Sequence, residues 1–400
     1  VITMRGDEVL NAADIVVKDN RIAYVGAHAS ASDAAGAQII DVRGSTIVPG
    51  FIDTHAHWTQ IRRGMLDTQN WDFLATLAYG VTTGRDPQTF SNDTFAYQDL
   101  ADTGDILGPR AYSTGPGIFF VNDFQSVDEA ADVISRYKNY YRTQTVKSYV
   151  VGSRRQREFV VEASKRLQMM PTTEGFADMT LDLTHVIDGF GGAEHQFPIF
   201  PIYKDVVELM AQSGVFYTPT YIIDYGGPSS ESYYLENTDV YNDPKIRRFF
   251  PHDYLNSRTS RMMWYRKDEY VFAQLAASAA AIVKAGGKVC VGGHGEMQGL
   301  SFHWELWSLH EGGMSNLQAL RAATLTGAEA IGFAQDLGSI EVGKLADLVV
   351  LRKNPLDDIH NSTATKFVMK NGRLFDGDSL DEVWPNKKPL GKFWWSDDHP

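Results

Sequence analysis

The sequence predicts an α/β protein, a (β/α)8 barrel with a small β-sandwich domain formed by the N- and C-terminal segments. Three observations carry this. Between Val48 and Phe333, eight short apolar runs ending in polar or glycine residues alternate with helix-like stretches, the rhythm of βα units around a parallel sheet. β-branched runs separated by turn residues fill the first 47 residues, and the same texture returns near the other end. Four hundred residues leave room for one large barrel and an accessory module.

Near the start, Asp14-Ile-Val-Val-Lys, Arg21-Ile-Ala-Tyr-Val-Gly and Gln38-Ile-Ile-Asp-Val suit antiparallel strands. Asp347-Leu-Val-Val-Leu and Lys366-Phe-Val-Met-Lys-Asn-Gly-Arg-Leu-Phe alternate apolar and polar positions around an Asn-Gly hairpin signal, so the two ends are expected to pair. This divides the chain into a small domain of residues 1–47 and 337–380, a barrel of residues 48–336, and a C-terminal extension of residues 381–400. The expected barrel strands lie near 48–57, 81–86, 110–115, 145–150, 169–174, 192–195, 215–221 and 288–294. Residues 224–260, rich in Tyr, Asn, Asp, Gly and Pro, are too long for an ordinary connection and read either as an active-site lid or as a segment packed on a neighbouring domain or subunit. The extension, aromatic and without strand or helix periodicity, is expected to pack across a surface or a partner.

Composition narrows the function. With 43% hydrophobic and 22% charged residues the chain can bury a large core, and its net charge of −13 argues against nucleic acid or anionic lipid as a partner. No run approaches the roughly 18 to 20 apolar residues that cross a bilayer, so no membrane anchor is expected. The single cysteine, Cys290, forms no intrachain disulfide and leaves the compartment open, cytoplasmic or periplasmic and extracellular. The first residue, Val1, already lies in a strand-like segment, which suggests a chain cut from something longer.

The chemistry begins at His55-Ala-His57, which follows the apolar run Ile47-Val-Pro-Gly-Phe-Ile-Asp-Thr. Residues two apart in a strand face the same side, so both imidazoles are expected to converge on one ion at the barrel's C-terminal rim. The competing reading of a bare His-x-His is two surface histidines.

That run with its two histidines resembles the opening strand of metal-dependent amidohydrolases. Ala78-Tyr-Gly-Val-Thr-Thr, Gly192-Ala-Glu-His, Ala323-Thr-Leu-Thr-Gly-Ala-Glu-Ala-Ile-Gly and Leu337-Gly-Ser-Ile-Glu-Val-Gly-Lys-Leu-Ala-Asp-Leu-Val-Val-Leu resemble that family's second strand, sixth strand, last helix and return to the small sheet. Within the family the likeness is to the prolidase and imidazolonepropionase branch, and to amidohydrolase domains that follow a propeller domain in longer polypeptides. The resemblance implies a TIM barrel holding one or two divalent ions, commonly zinc, that activate a water for attack on a carbonyl. It further implies oligomers of identical chains and a small-molecule or dipeptide-like substrate with an amide, peptide or cyclic amide bond.

Residue by residue, the resemblance implies metal ligation by His55, His57, Lys147, Glu174, His195 and His294. Lys147 ends the fourth strand, where such enzymes carry a lysine carboxylated by carbon dioxide; an unmodified lysine paired with an acid is the alternative. Two positions depart from the pattern. Glu174 stands where a histidine is usual, as a ligand or as a carboxylate bonded to a ligand histidine, with His185 a weaker substitute. His294 stands where an aspartate usually takes the water's proton, so His294 or Glu296 is the candidate base. Tyr221, Tyr225, Gln298 and His303, together with Trp58 and Trp304, lie near strand ends as substrate contacts or as loop packing. Arg154 and Arg155 read as a carboxylate clamp or a solvated pair. Against the hydrolase stands a catalytically impaired metal-binding barrel that acts as a scaffold or ligand-binding partner. A one-metal nucleobase deaminase would want a His-x-x-Glu near strand six and an aspartate on strand eight, and neither is found.

Overall fold

The computed structural model describes the chain except residues 31, 59–66, 90, 120, 224–227, 261–263 and 397–400. Two strands, β1 (Asp14–Lys18) and β2 (Arg21–Gly26), form an antiparallel hairpin. β3 (Thr46–Pro49) belongs to an antiparallel sheet built from both chain ends, and β4 (Phe51–Asp53) opens the barrel. One residue, Gly50, separates them, so Val48 and Pro49 pair with the small sheet rather than with the barrel strand anticipated from residue 48.

After α1 (Trp71–Ala78) come β5 (Val81–Asp86), α2 (Asp93–Thr103), β6 (Arg110–Ser113) and β7 (Ile118–Phe119). Next are α3 (Val127–Arg136), β8 (Thr145–Tyr149), α4 (Arg154–Arg166), β9 (Met170–Glu174), α5 (Met179–Asp188), β10 (Gly192–Glu194), α6 (Lys204–Ser213) and β11 (Phe216–Thr218). β4, β5 and β6 pair in parallel, as do β7 through β12 (Lys288–Val289). The third barrel position is filled in two pieces, β6 pairing with β5 and β7 with β8. The first and eighth positions meet where the Thr54 N–H and hydroxyl both reach the Val291 carbonyl at 3.0 Å, and the His294 N–H donates to the His55 carbonyl at 2.7 Å. The expected barrel is therefore present, with all eight strands near their anticipated positions.

Residues 230–259 fold as three short helices, α7 (Ser230–Asn237), α8 (Pro244–Phe249) and α9 (His252–Thr259). Ser229 and Asp243 cap the first two, their side-chain oxygens accepting from N–H groups of the opening turn. Tyr234, Leu235, Ile246, Phe249, Phe250 and Leu255 from these helices are buried in the same core as α10 (Phe272–Lys284) and α11 (Leu300–Glu311). The described part of the insertion thus packs on its own barrel rather than on a neighbouring domain.

Two further helices, α12 (Asn316–Ala322) and α13 (Leu325–Ala330), lead back to β13 (Leu348–Leu351), β14 (Thr365–Lys370), β15 (Arg373–Asp376) and β16 (Glu382–Trp384). The sheet order is β16-β15-β14-β13-β3, so the segment expected to lack strand structure contributes its edge strand. Beyond it Phe393 and Trp395 are buried against Arg248 and Phe249, while Trp394 is exposed.

A buried ion pair locks the small sheet to the barrel. Arg110 of β6 donates to both oxygens of Asp347 at 3.1 and 3.3 Å and to Asn371 at 3.0 Å. The Asn371 N–H returns to Asp347 at 2.7 Å, so the carboxylate is fully used. Removing one partner of such a pair strands the other charge. Arg110→Met is expected to cost about 3–5 kcal/mol, read as a melting-temperature drop of several degrees against wild type.

Candidate metal centre

Four histidines gather at the C-terminal ends of the barrel strands. β4 ends at Asp53, whose carboxylate accepts the N–H of His55 at 2.9 Å and that of Gly293 at 3.1 Å, tying the first strand end to the eighth. His55 and His57 converge, with their Nε2 atoms 3.1 Å apart, but strand alternation is not the cause. Both lie beyond the strand, and His57 has φ of +42°, a turn that swings its ring inward. His195 and His294 likewise sit at φ of +71° and +56°. Side chains with a Cβ disfavour this region, and such strain clusters at functional sites. Next to His294, Gly295 supplies the room: a Cβ there would lie 2.3 Å from the His57 carbonyl.

Three of the imidazoles, His55, His195 and His294, are hydrogen-bonded at the outer nitrogen, while that of His57 lies near a carboxylate without a hydrogen bond. His55 Nδ1 lies 2.8 Å from Glu194, His57 Nδ1 3.3 Å from Asp86, His195 Nδ1 2.7 Å from the Thr220 hydroxyl, and His294 Nδ1 3.1 Å from Glu296. Glu194 is itself fixed by the Arg85 guanidinium at 2.9 Å and the Thr172 hydroxyl. This leaves Nε2 as the inward-facing atom of these rings, with that of His195 against Glu174, the arrangement in which metal-binding histidines are oriented by outer acceptors. Donor atoms of His55, His57 and His294 all lie within 4.8 Å of one another. The His195 ring is centred 4.9 Å from that of His55 and 5.5 Å from that of His294. Burial lowers the pKa of His55, His195 and His294, the last to about 3, keeping the rings in the neutral form that ligates cations.

Glu174 joins the cluster at the end of β9. One of its oxygens lies 3.0 Å from His195 Nε2 and 2.8 Å from Lys147 Nζ. Burial pushes its carboxyl upward, but Lys147 and His195 outweigh that and hold it well below the ordinary carboxylate range. Lys147 is fully buried, its ammonium also 4.9 Å from the Tyr149 ring centre. As an ammonium it neutralises Glu174 and offers no lone pair. For Glu296, burial raises the carboxyl while His294 and Arg258 bring it below its ordinary value. Converging neutral imidazoles and a carboxylate are a donor set that fits a borderline cation such as zinc.

Of the anticipated substrate contacts among the described residues, Tyr221, Gln298 and His303 are all buried. Tyr221 is fully buried in the hydrophobic core, its hydroxyl reaching the Leu275 carbonyl at 3.4 Å. Gln298 is buried and donates to the His57 carbonyl at 3.1 Å, a support of the histidine turn. His303 is wholly internal, Nε2 against the Tyr79 carbonyl at 2.8 Å and Nδ1 against the Ser362 hydroxyl at 2.9 Å. Ser362 in turn accepts from the Trp307 indole at 3.0 Å, so His303 is committed to packing. Tyr225 lies outside the described residues. Trp58 and Trp304 pack on Phe73 and Tyr234. Arg154 pairs with Asp188 at 2.5 Å on the surface and Arg155 lies over Phe159. His185 sits buried inside α5 and pairs with none of the clustered histidines.

Sequence reasoning passed over Glu194, Asp86, Thr220, Arg85, Arg258 and Glu231. Glu194 stood within the Gly-Ala-Glu-His segment and Asp86 at the end of the second expected strand, so strand-end position was the available signal. Arg258 and Glu231 meet across the insertion and carried none.

A barrel with clustered strand-end histidines defines a class of metal-site hydrolase folds. Residues 157–375 match the model of the amidohydrolase family, and the chain belongs to that family. A segment of 86 residues is 38% identical to an adenine deaminase of Paracoccus denitrificans, covering 21% of this chain and 14% of that protein. Another of 49 residues is 51% identical to an enamidase of Eubacterium barkeri, covering 12% and 13%. The aligned segments therefore span well under a fifth of those relatives. A solved structure of a Xaa-Pro dipeptidase with bound methionine superposes with a TM-score of 0.70 at 21% identity, over 94% of this chain and 97% of that one.

Because burial lowers the His303 pKa to about 3, its neutral ring contributes stability that is complete above its ordinary value of 6.5 and is lost as pH falls towards 3. Over that interval the wild-type slope should exceed that of His303→Gln by about 1.4 kcal/mol per pH unit. Urea unfolding midpoints taken from pH 7 to pH 4 for both proteins measure the difference.

Proposed function

We propose that this chain hydrolyses a carbon–nitrogen bond, in an amide, peptide or cyclic amide, with a divalent metal centre at the barrel mouth. The observation that supports this best is the convergence of four imidazoles and Glu174, with the outer nitrogens of His55, His195 and His294 already hydrogen-bonded. In this reading His55, His57, His195, His294 and Glu174 hold one or two ions, zinc first on donor chemistry. Lys147 joins them once carbon dioxide carboxylates its amine, which turns a cation into an oxygen donor beside Glu174. When bound, the ion supplies Lewis-acid polarisation of the substrate carbonyl and lowers the pKa of a water.

The protein's own groups do the rest. Asp53 fixes the backbone of His55 and of Gly293, so the strand ends carrying His55 and His294 move as one unit. Glu296 receives the proton released on attack and returns it to the leaving nitrogen, with His294 held against it. In this reading the substrate is a dipeptide, an N-acylated amino acid or a cyclic amide, in keeping with the family. The short matches to deaminases do not add the His-x-x-Glu and strand-eight aspartate that such chemistry would want. Assembly into oligomers and a propeller domain upstream remain parts of this proposal. Among the described residues no helix is long and apolar enough to cross a membrane.

One observation favours a second reading, a barrel without turnover that serves as a scaffold. The Lys147–Glu174 pair is self-neutralising and needs no ion. Metal analysis of the purified chain, followed by amine release from a panel of dipeptides and N-acyl amino acids, separates the two. Bound ions and turnover are expected, with chelation abolishing amine release and zinc plus bicarbonate restoring it. His195→Ala is expected to lower kcat/KM roughly a hundredfold or more. Metal-free wild type, inert after zinc is added, would favour the scaffold.

A further inference from the structure

We propose that Arg258 is a positioning residue for the centre: from α9 it clamps Glu296 against Glu231, and Glu296 so held fixes the orientation of His294. The inference deepens the metallohydrolase reading and rests on it. The Arg258 guanidinium contacts the carboxylates of both Glu231, in α7, and Glu296, in the loop after β12. The oxygens of Glu296 divide the work, Oε2 facing Arg258 and Oε1 lying 3.1 Å from His294 Nδ1. Tyr254, four residues before Arg258 and so on the same face of α9, donates its hydroxyl to the backbone carbonyl of Glu296. It also packs on Trp71, ring centres 4.5 Å apart. One helix of the insertion therefore grips residue 296 by both its side chain and its backbone.

His294 needs such support. It lies between Gly293 and Gly295 in a loop without regular structure, at φ of +56°; its backbone is tied to His55, and among hydrogen bonds it is the one to Glu296 that sets the turn of the ring. Two carboxylates as close as Glu231 and Glu296 repel each other unless a cation stands between them. Without Arg258 the Glu296 carboxylate would swing away from Glu231 and leave the His294 ring free to turn. The planar guanidinium reaches both acids at once, which a lysine ammonium does less well.

A purely structural role is distinguishable, because a clasp joining α7 to α9 would act through Glu231 alone. The test uses the full chain, reading zinc affinity by competition with a chromophoric chelator and the visible spectrum after cobalt(II) loading. Arg258→Met and Glu296→Gln are each expected to weaken zinc binding about tenfold or more and to change the cobalt spectrum alike. The double variant should be no weaker than the weaker single one, Arg258→Lys should recover part of the loss, and Glu231→Gln should stay within about twofold of wild type. If Arg258→Met fails to fold, Arg258→Lys and Glu296→Gln carry the comparison. Wild-type affinity and spectrum in the Arg258 variants, or a loss in Glu231→Gln equal to theirs, would overturn the proposal. Wild-type protein that takes up no ion overturns the reading beneath it as well.

Discussion

The placing of an acceptor beside the outer nitrogen of each histidine is the constraint on which the barrel mouth depends. An imidazole has two nitrogens on opposite edges, and bonding one to a fixed acceptor sets both the tautomer and the direction of the other. Glu194, Thr220 and Glu296 do this for His55, His195 and His294, and Asp86 lies 3.3 Å from the outer nitrogen of His57. Three of these acceptors belong to the barrel proper, or to the turns at its strand ends. β10 and β9 align Glu194 with Glu174, and β11 continues the ladder up to the turn that carries Thr220. Ring direction is thus inherited from strand register, and a slip of one residue would turn the inner set outward.

The fourth acceptor differs. Glu296 stands on a loop, and it is the helical insertion, not a strand, that holds it there. The insertion is in turn seated by apolar burial, Phe249, Phe250 and Leu255 entering the core beside α1 and α11. The eighth strand end is therefore held from outside the barrel as well as by its bonds to Asp53 and His55 within it. This explains how a long connection rich in Tyr, Asn and Asp can be well packed: its polar residues cap helices and pair across them, and Tyr234, Phe249 and Phe250 face inward.

Much of the fold was legible because its signals are local. Alternation marks the terminal strands, and the run from Ile47 to His57 carries both the small-sheet strand and the first barrel strand. The candidate ligands were legible because strand ends are where a barrel converges. The substrate contacts were not, since strand-end position does not say which way a side chain faces. Tyr221 and His303 follow that rule of position and are nevertheless wholly internal. Pairings across large sequence separation were likewise invisible: Arg258 to Glu231 and Glu296, Glu194 to His55, Arg110 to Asp347. No period or spacing encodes them, because they exist only once the chain has closed on itself.

Charge at the mouth gives the strongest electrostatic ground for a cation there. The acids Asp53, Asp86, Glu174, Glu194, Glu231 and Glu296 surround the histidines, and the cations among them are Lys147, Arg85 and Arg258. Burial responds to that excess where it can: it raises Asp53 to about 6, and it raises Glu231 with the nearby Glu296 adding to the effect. Neutral imidazoles offset none of it. A buried excess of carboxylate is costly unless a positive charge enters or protons bind. A divalent ion among the Nε2 atoms would offset it without protonating the outer acceptors, whereas proton binding would break the hydrogen bonds that orient the rings. Carboxylating Lys147 deepens the negative excess, so on this argument a second ion and the modified lysine belong together.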